Sequence, residues 1–205
     1  YISGWHQGRD KKFRIVGPKG TKEFFQNMLK AFKNELQGRV QWEQRPNKGG
    51  LDYEITEINS DYAYKNLHLQ IIPFEVDHYP VEPAYGYQIK VSDTEIEKKV
   101  VISGDTRKNE NLINHAMDAD ALVHEVFINL EFDENRMSKK TISNVRDYHT
   151  SPKEIGEIAK AANVKKLILT HFVPPVFDED FLTKEIRESY KGNVIIGEDL
   201  LTIEI

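Results

Sequence analysis

The sequence predicts an α/β fold, α+β in its order of elements, with two sheets sandwiched between helices as an αββα sandwich. Three observations predict it. The middle of the chain reads as strands in an antiparallel meander. The back alternates short apolar strands with helices, as βαβ units do when both sheet faces are covered. The 205 residues, 39% hydrophobic and 30% charged, suit one domain, 1–205, with a sizeable core.

Taken in order, a short strand runs from Phe13 to Val16, and Gly17, Pro18 and Gly20 turn the chain. A helix is expected over 22–36 with Thr21 as N-cap. Phe24, Phe25, Met28, Leu29, Phe32 and Leu36 are spaced for one helical face, a core stripe. Strands follow at 40–43, 53–58 and 67–76. Asn47, Lys48, Gly49 and Gly50 are turn chemistry between them, with no linker composition. Tyr85, Tyr87, Ile89 and Val91 alternate with polar residues, as in a half-buried strand.

The second half opens with Val100–Ile102, an apolar run leading into Ser103-Gly104-Asp105. A helix over 109–117 precedes the next run, Ala121–Val123, which leads into His124-Glu125. Ser151, Pro152 and Glu154 form a capping box with proline at the first helical position, so a helix starts at 152 and runs to 162. Leu167–Leu169 leads into Thr170-His171. A last helix near 180–190, a strand at 194–196 and a terminal strand at 200–205 complete the chain.

Composition narrows the function classes. There are no cysteines, so disulfides and thiolate ligation are excluded, and any metal must be held by His, Asp, Glu and water. A net charge of −5 argues against broad adhesion to DNA or anionic membrane. No apolar run approaches the roughly 20 residues of a membrane helix. There is no signal-peptide pattern, and a cytoplasmic location is expected. The basic run Arg9, Lys11, Lys12, Arg14, Lys19 and Lys22 reads as a solvated rim. Residue 1 is Tyr and the first Met is Met28, so the numbering is expected to begin inside a longer chain.

The chemistry gathers at strand ends. Asp105, His124-Glu125 and His171 each follow an apolar strand, where ligands bind in α/β folds. His78 follows a long strand, and His149 precedes a helix N-terminus. His6, His68 and His115 have no such setting and read as structural. Histidines with a carboxylate suit zinc or a similar divalent ion. The same positions also suit polar caps that satisfy backbone groups.

Six segments, in order, carry a resemblance. They are Trp5–Arg9 with Val16–Gly20, Asp77–Tyr87, Ser103-Gly104-Asp105-Thr106, Asp120–Glu125, His149-Thr150-Ser151-Pro152, and Leu169-Thr170-His171-Phe172. Together they resemble the later part of the ribonuclease Z and arylsulfatase-like branch of the metallo-β-lactamase superfamily. That resemblance implies an N-terminally incomplete metallo-β-lactamase fold and a hydrolase with two zinc ions. By it, His78 and His171 would each bind one metal and Asp105 would bridge them. Glu125 and His149 would form a catalytic pair beside them. The implied substrate is a phosphodiester, RNA among them, and a homodimer fits the family. An ester or sulfate-ester hydrolase without an RNA-gripping arm, and a metal-free binding protein on the same fold, are the alternatives. The family's HxHxDH motif does not occur in the chain, and Asp105 follows His78 by only 27 positions, too few for an inserted arm.

Overall fold

The protein is described here by a computed structural model, which covers residues 1–58, 63–93, 96–128 and 137–205. Its chain forms two compact units, Tyr1–Ala63 and Tyr64–Ile205.

In the first unit, strand β1 (Phe13–Gly17) pairs in parallel with β2 (Tyr53–Glu57). Helix α1 (Ile2–His6) precedes them, and α2 (Thr21–Ala31) and α3 (Lys33–Glu43) lie between them in sequence. Trp5 is fully buried, and its Nε1 donates to the Asn47 carbonyl at 3.2 Å. Asn47 Nδ2 returns a bond to the Trp5 carbonyl at 2.7 Å. The turn around Gly49 and Gly50 is a short 3-10 helix, Lys48–Leu51. Gly50 has to be small, because a Cβ there would lie 1.8 Å from the Arg9 carbonyl oxygen.

Five expectations change in this unit. The single helix over 22–36 breaks at Phe32, and Gly20 rather than Thr21 is the N-cap, at φ +98°. Thr21 Oγ1 instead donates to the Pro18 carbonyl. The strand at 40–43 is the end of α3, where Arg39 pairs with Glu35 and Glu43 at helical i,i+4 spacing. The aromatic stripe is only partly core: Phe25 is buried, but Phe24 is 71% exposed. Arg9 is no rim residue either. Its guanidinium stacks on the Tyr1 and Phe13 rings and donates to the Tyr1 and Gly50 carbonyls, while Lys11, Lys12, Arg14, Lys19 and Lys22 are exposed.

The second unit holds a seven-stranded sheet in the order β3–β9. Strands β3 (Tyr64–Lys65), β4 (Leu69–Glu75), β5 (Tyr85–Ser92) and β6 (Glu97–Ile102) form the antiparallel meander. Strands β7 (Ala121–Phe127), β8 (Lys166–Val173) and β9 (Asn193–Ile196) then run parallel to β6. The crossovers carry α4 (Glu110–Ala116), α5 (Lys139–Asp147) with α6 (Pro152–Ala161), and α7 (Glu179–Arg187). The βαβ reading therefore holds for this half.

One sheet face builds the core. Val101, Leu122, Val126, Leu167 and Leu169 pack there with Leu112 of α4, Ile155 and Ile158 of α6, and Leu182 and Ile186 of α7. Strand periodicity accounts for the choice, since 122 and 126 point the same way. On β5 the most buried residues are Gly86 and Gln88, not the alternating set Tyr85, Tyr87, Ile89 and Val91. Gly86 lies against the Phe74 ring, and Gln88 Nε2 donates to the His115 carbonyl at 2.7 Å. The capping box at Ser151 and Glu154 forms as expected. The strand expected at 200–205 does not: Leu200 has φ +66° and is fully exposed, and residues 201–205 join no strand, although Lys166 Nζ of β8 donates to the Glu204 carbonyl.

Asp120 ties the starts of three parallel strands together. Its carboxylate accepts from the Lys99 amide and from Lys165 Nζ, both at 2.8 Å. Burial raises its pKa, but the bonds from Lys165 and Lys99 outweigh that and hold it below the ordinary value of 3.8. The folded state thus binds fewer protons than the unfolded chain near this pH. The contribution is complete above about 3.8 and is lost as pH falls through the lower folded value. Asp120→Asn should cost about 1–3 kcal/mol at neutral pH. Urea melts of both proteins at pH 7 and pH 3 should then converge at the acid end; parallel losses would show that Asp120 carries no acid sensitivity.

Candidate active site

The second unit places five ionisable side chains at the C-terminal ends of its strands. Glu125 lies on β7, whose alternation sends its neighbour His124 to the opposite face. His124 is fully buried there. Burial lowers its pKa below the ordinary histidine value, although Glu125 acts the other way, so it is a neutral member of the core and not of the site.

Glu125 is also buried. Its Oε1 accepts from the Thr150 amide at 2.9 Å and from the Thr106 amide at 3.4 Å. A buried threonine bond from Thr150 Oγ1 to the Thr106 carbonyl, at 2.5 Å, closes the same loop pair. The carboxylate is thereby fixed between the loop after β6 and the segment before α6. Its second oxygen, Oε2, is buried with no hydrogen-bond partner among the described residues.

His149 sits where α5 ends and the α6 cap begins. Its Nδ1 lies 3.2 Å from Glu125 Oε1, at ion-pair distance but outside hydrogen-bond geometry. Its ring stands between two others: His78 at 5.2 Å and His171 at 5.8 Å, centroid to centroid. His78, just beyond β4, is buried, and its Nδ1 contacts the Tyr148 carbonyl at 2.9 Å.

His171 owes its direction to a bulge. Along β7 and β8 the register runs Glu125 to Thr170 and then Val126 to Phe172, so His171 is the extra residue. Its φ is +47°, a left-handed conformation uncommon for histidine. Asp105 lies just past β6, with Oδ1 3.6 Å from His171 Nδ1. Both are half-exposed at the rim, while Glu125, His149 and His78 are buried.

Donor atoms of Glu125, His149 and His171 all lie within 4.8 Å of one another, a group able to hold a metal ion. Two imidazoles and a carboxylate suit a divalent ion of intermediate softness. Glu125 Oε2 and His149 Nδ1 are buried without hydrogen-bond partners among the described residues, atoms that a nearby ion or a protonated imidazole would satisfy. This grouping shares His171 with the set His78, Asp105 and His171 read from the sequence; His78 and Asp105 flank it. Thr106, Thr150 and Arg107 were not singled out in the sequence, since single polar residues in loops carry no periodicity to mark them.

No family model matches the chain. The chain is 30% identical over 194 residues to the putative ribonuclease Z of Mycobacterium tuberculosis (strain CDC 1551 / Oshkosh), an alignment covering 93% of this chain and 83% of that protein. This chain belongs to the ribonuclease Z family. It is also 30% identical over 194 residues to the ribonuclease Z of Mycobacterium bovis (strain BCG / Pasteur 1173P2), spanning 93% of its own length and 66% of that protein's. Among solved structures, the metallo-β-lactamase fold protein YhfI from Bacillus subtilis matches with a TM-score of 0.63 and 22% identity, over 96% of this chain and 66% of that one. The short form of human tRNase Z matches with a TM-score of 0.59 and 17% identity, over 95% and 68%. The fold of this ribonuclease Z-family chain is accordingly the metallo-β-lactamase fold, as its sequence led us to expect.

Proposed function

We propose that the chain carries part of the active site of a metal-dependent phosphodiesterase of the ribonuclease Z type, acting on RNA. The observation that carries this reading is the buried Glu125–His149 pair, with His78, Asp105 and His171 around it. His78, Asp105 and His171 would hold divalent metal, zinc by its donor set, with two ions in a complete site. The Nδ1 contact of His78 to a backbone carbonyl supports that role, because ligating histidines are oriented through their other ring nitrogen. The bound ions would polarise the phosphoryl group and make a water more acidic.

The chain's own residues would do the rest. Glu125 is anchored by two backbone amides, so its charge is fixed where it can stabilise a protonated His149. With Nδ1 facing Glu125, His149 would use Nε2 to give a proton to the departing oxygen of the diester. The neighbouring rings of His78, Phe127 and Tyr148 restrict its rotation, which keeps that nitrogen aimed.

A second reading, a hydrolase of small esters, is favoured by one observation. Among the described residues, the interval between His78 and Asp105 is occupied by the β5–β6 hairpin, with no room there for an inserted arm to grip RNA. The two readings separate in one assay series with added zinc or manganese. RNA cleavage and RNA binding that weaken steeply with salt support the ribonuclease. Turnover of bis(p-nitrophenyl) phosphate alone, insensitive to salt, supports the small-ester enzyme. Absence of both metal uptake and turnover would remove the hydrolase reading and leave a binding protein. Light scattering on the same sample tests the homodimer.

A further inference from the structure

We propose that Arg107 is a positioning residue that holds the His78 loop and the His149 segment in register with Asp105; this rests on the reading of those three residues given above. Arg107 Nη1 donates to Asp77 Oδ1 at 2.6 Å and Nη2 to the Tyr79 carbonyl at 3.1 Å. It therefore grips the residues on either side of His78. Nη2 also donates to Asp147 Oδ2 at 3.0 Å, two residues before His149. Arg107 itself stands two residues after Asp105. One guanidinium thus joins three loops that approach from β4, β6 and α5.

The chemistry of the partners suits a planar fork and not a point charge. Two acceptors are carboxylates and the third is a backbone carbonyl, reached in different directions from two nitrogens. Arginine stays protonated at every accessible pH, so the fork stays charged throughout. Asp77 and Asp147 are 53% and 77% exposed, and salt screening keeps each pair weak by itself. What the arrangement adds is simultaneity: both loops are held by the same group. The Arg107 amide bond to the Asp77 carbonyl, at 2.8 Å, does not depend on the side chain. It lets the fold survive a substitution there.

The test uses the whole chain in three variants, Arg107→Met, Arg107→Lys and Asp147→Ala, with amide hydrogen exchange measured without metal. Arg107→Met should speed exchange by about tenfold in both 77–81 and 147–150, consistent with losing hydrogen bonds to a charged group. Exchange in α6 and the centre of β7 should not change. Arg107→Lys should restore one segment at most, because an ammonium cannot span all three acceptors. Asp147→Ala should loosen 147–150 and leave 77–81 as it was. Cobalt affinity, followed by absorbance, should fall about 10–100-fold in Arg107→Met. Unchanged exchange in either segment of Arg107→Met, or full rescue by lysine, overturns the proposal. If the parent chain takes up no cobalt but exchange responds as stated, the metal reading fails while the positioning role stands.

Discussion

Replacing His149 by alanine should lower turnover of a phosphodiester by about 10²–10⁴-fold, the range for loss of a positioned general acid. The expectation follows from where the ring sits. His149 is buried, with one nitrogen against Glu125 and its faces toward His78 and His171. His171 also has a ring nitrogen within 4.8 Å of the Glu125 carboxylate, but it is half-exposed at the rim, whereas His149 lies against that carboxylate at 3.2 Å. The fold should tolerate the change, since Glu125 Oε1 keeps the Thr150 amide. Glu125→Gln makes the informative partner. It keeps an oxygen for the Thr150 amide but removes the charge that favours protonated His149, and should cost about 10–100-fold. If the pair acts as a unit, the double variant will be little worse than His149→Ala alone. Fully multiplicative losses would mean the two residues act separately. A His149→Ala protein with undiminished kcat would return the contact to loop bracing.

The part of this site that sequence could show is the part set by strand periodicity. Asp105, Glu125 and His171 stand just after or within apolar runs, and runs such as Leu122–Val123 and Leu167–Leu169 are unmistakable as buried strands. The capping box at Ser151 likewise announced α6 and so placed His149 at a helix entrance. Failures came where local pattern and tertiary context disagree. Val40-Gln41-Trp42-Glu43 alternates like a strand, yet Glu35, Arg39 and Glu43 at i,i+4 spacing carry the helical signal that decided it. Helix α5 has no counterpart among the expected elements, although Ser138 caps it by accepting from the Thr141 amide; its only apolar residues are Ile142 and Val145, set in a polar stretch. Phe24 was read as core because a sequence reports spacing and not what covers a face. The bulge at His171 could not be read at all, because it is a property of two paired strands and not of one segment.

That bulge leads to the second large effect. Thr170-His171-Phe172 holds histidine at φ +47°, a conformation costing of order 1–3 kcal/mol for a non-glycine residue. Glycine adopts it without steric cost. His171→Gly should therefore leave stability unchanged or raise it, by up to about 1 kcal/mol once glycine's greater unfolded entropy is subtracted. The side chain is half-exposed at the rim, so its removal opens no core cavity. The same change should abolish metal uptake and with it turnover, because His171 is shared by the observed donor group and by the ligand set read from sequence. His171→Ala separates the two effects: it loses the donor but keeps the strain, and should match glycine in activity while being less stable. Paired urea melts and metal titrations of the three proteins check this. A glycine variant less stable than the alanine one would mean the bulge is not strained. A glycine variant that still binds metal tightly would mean the strain serves something other than the histidine.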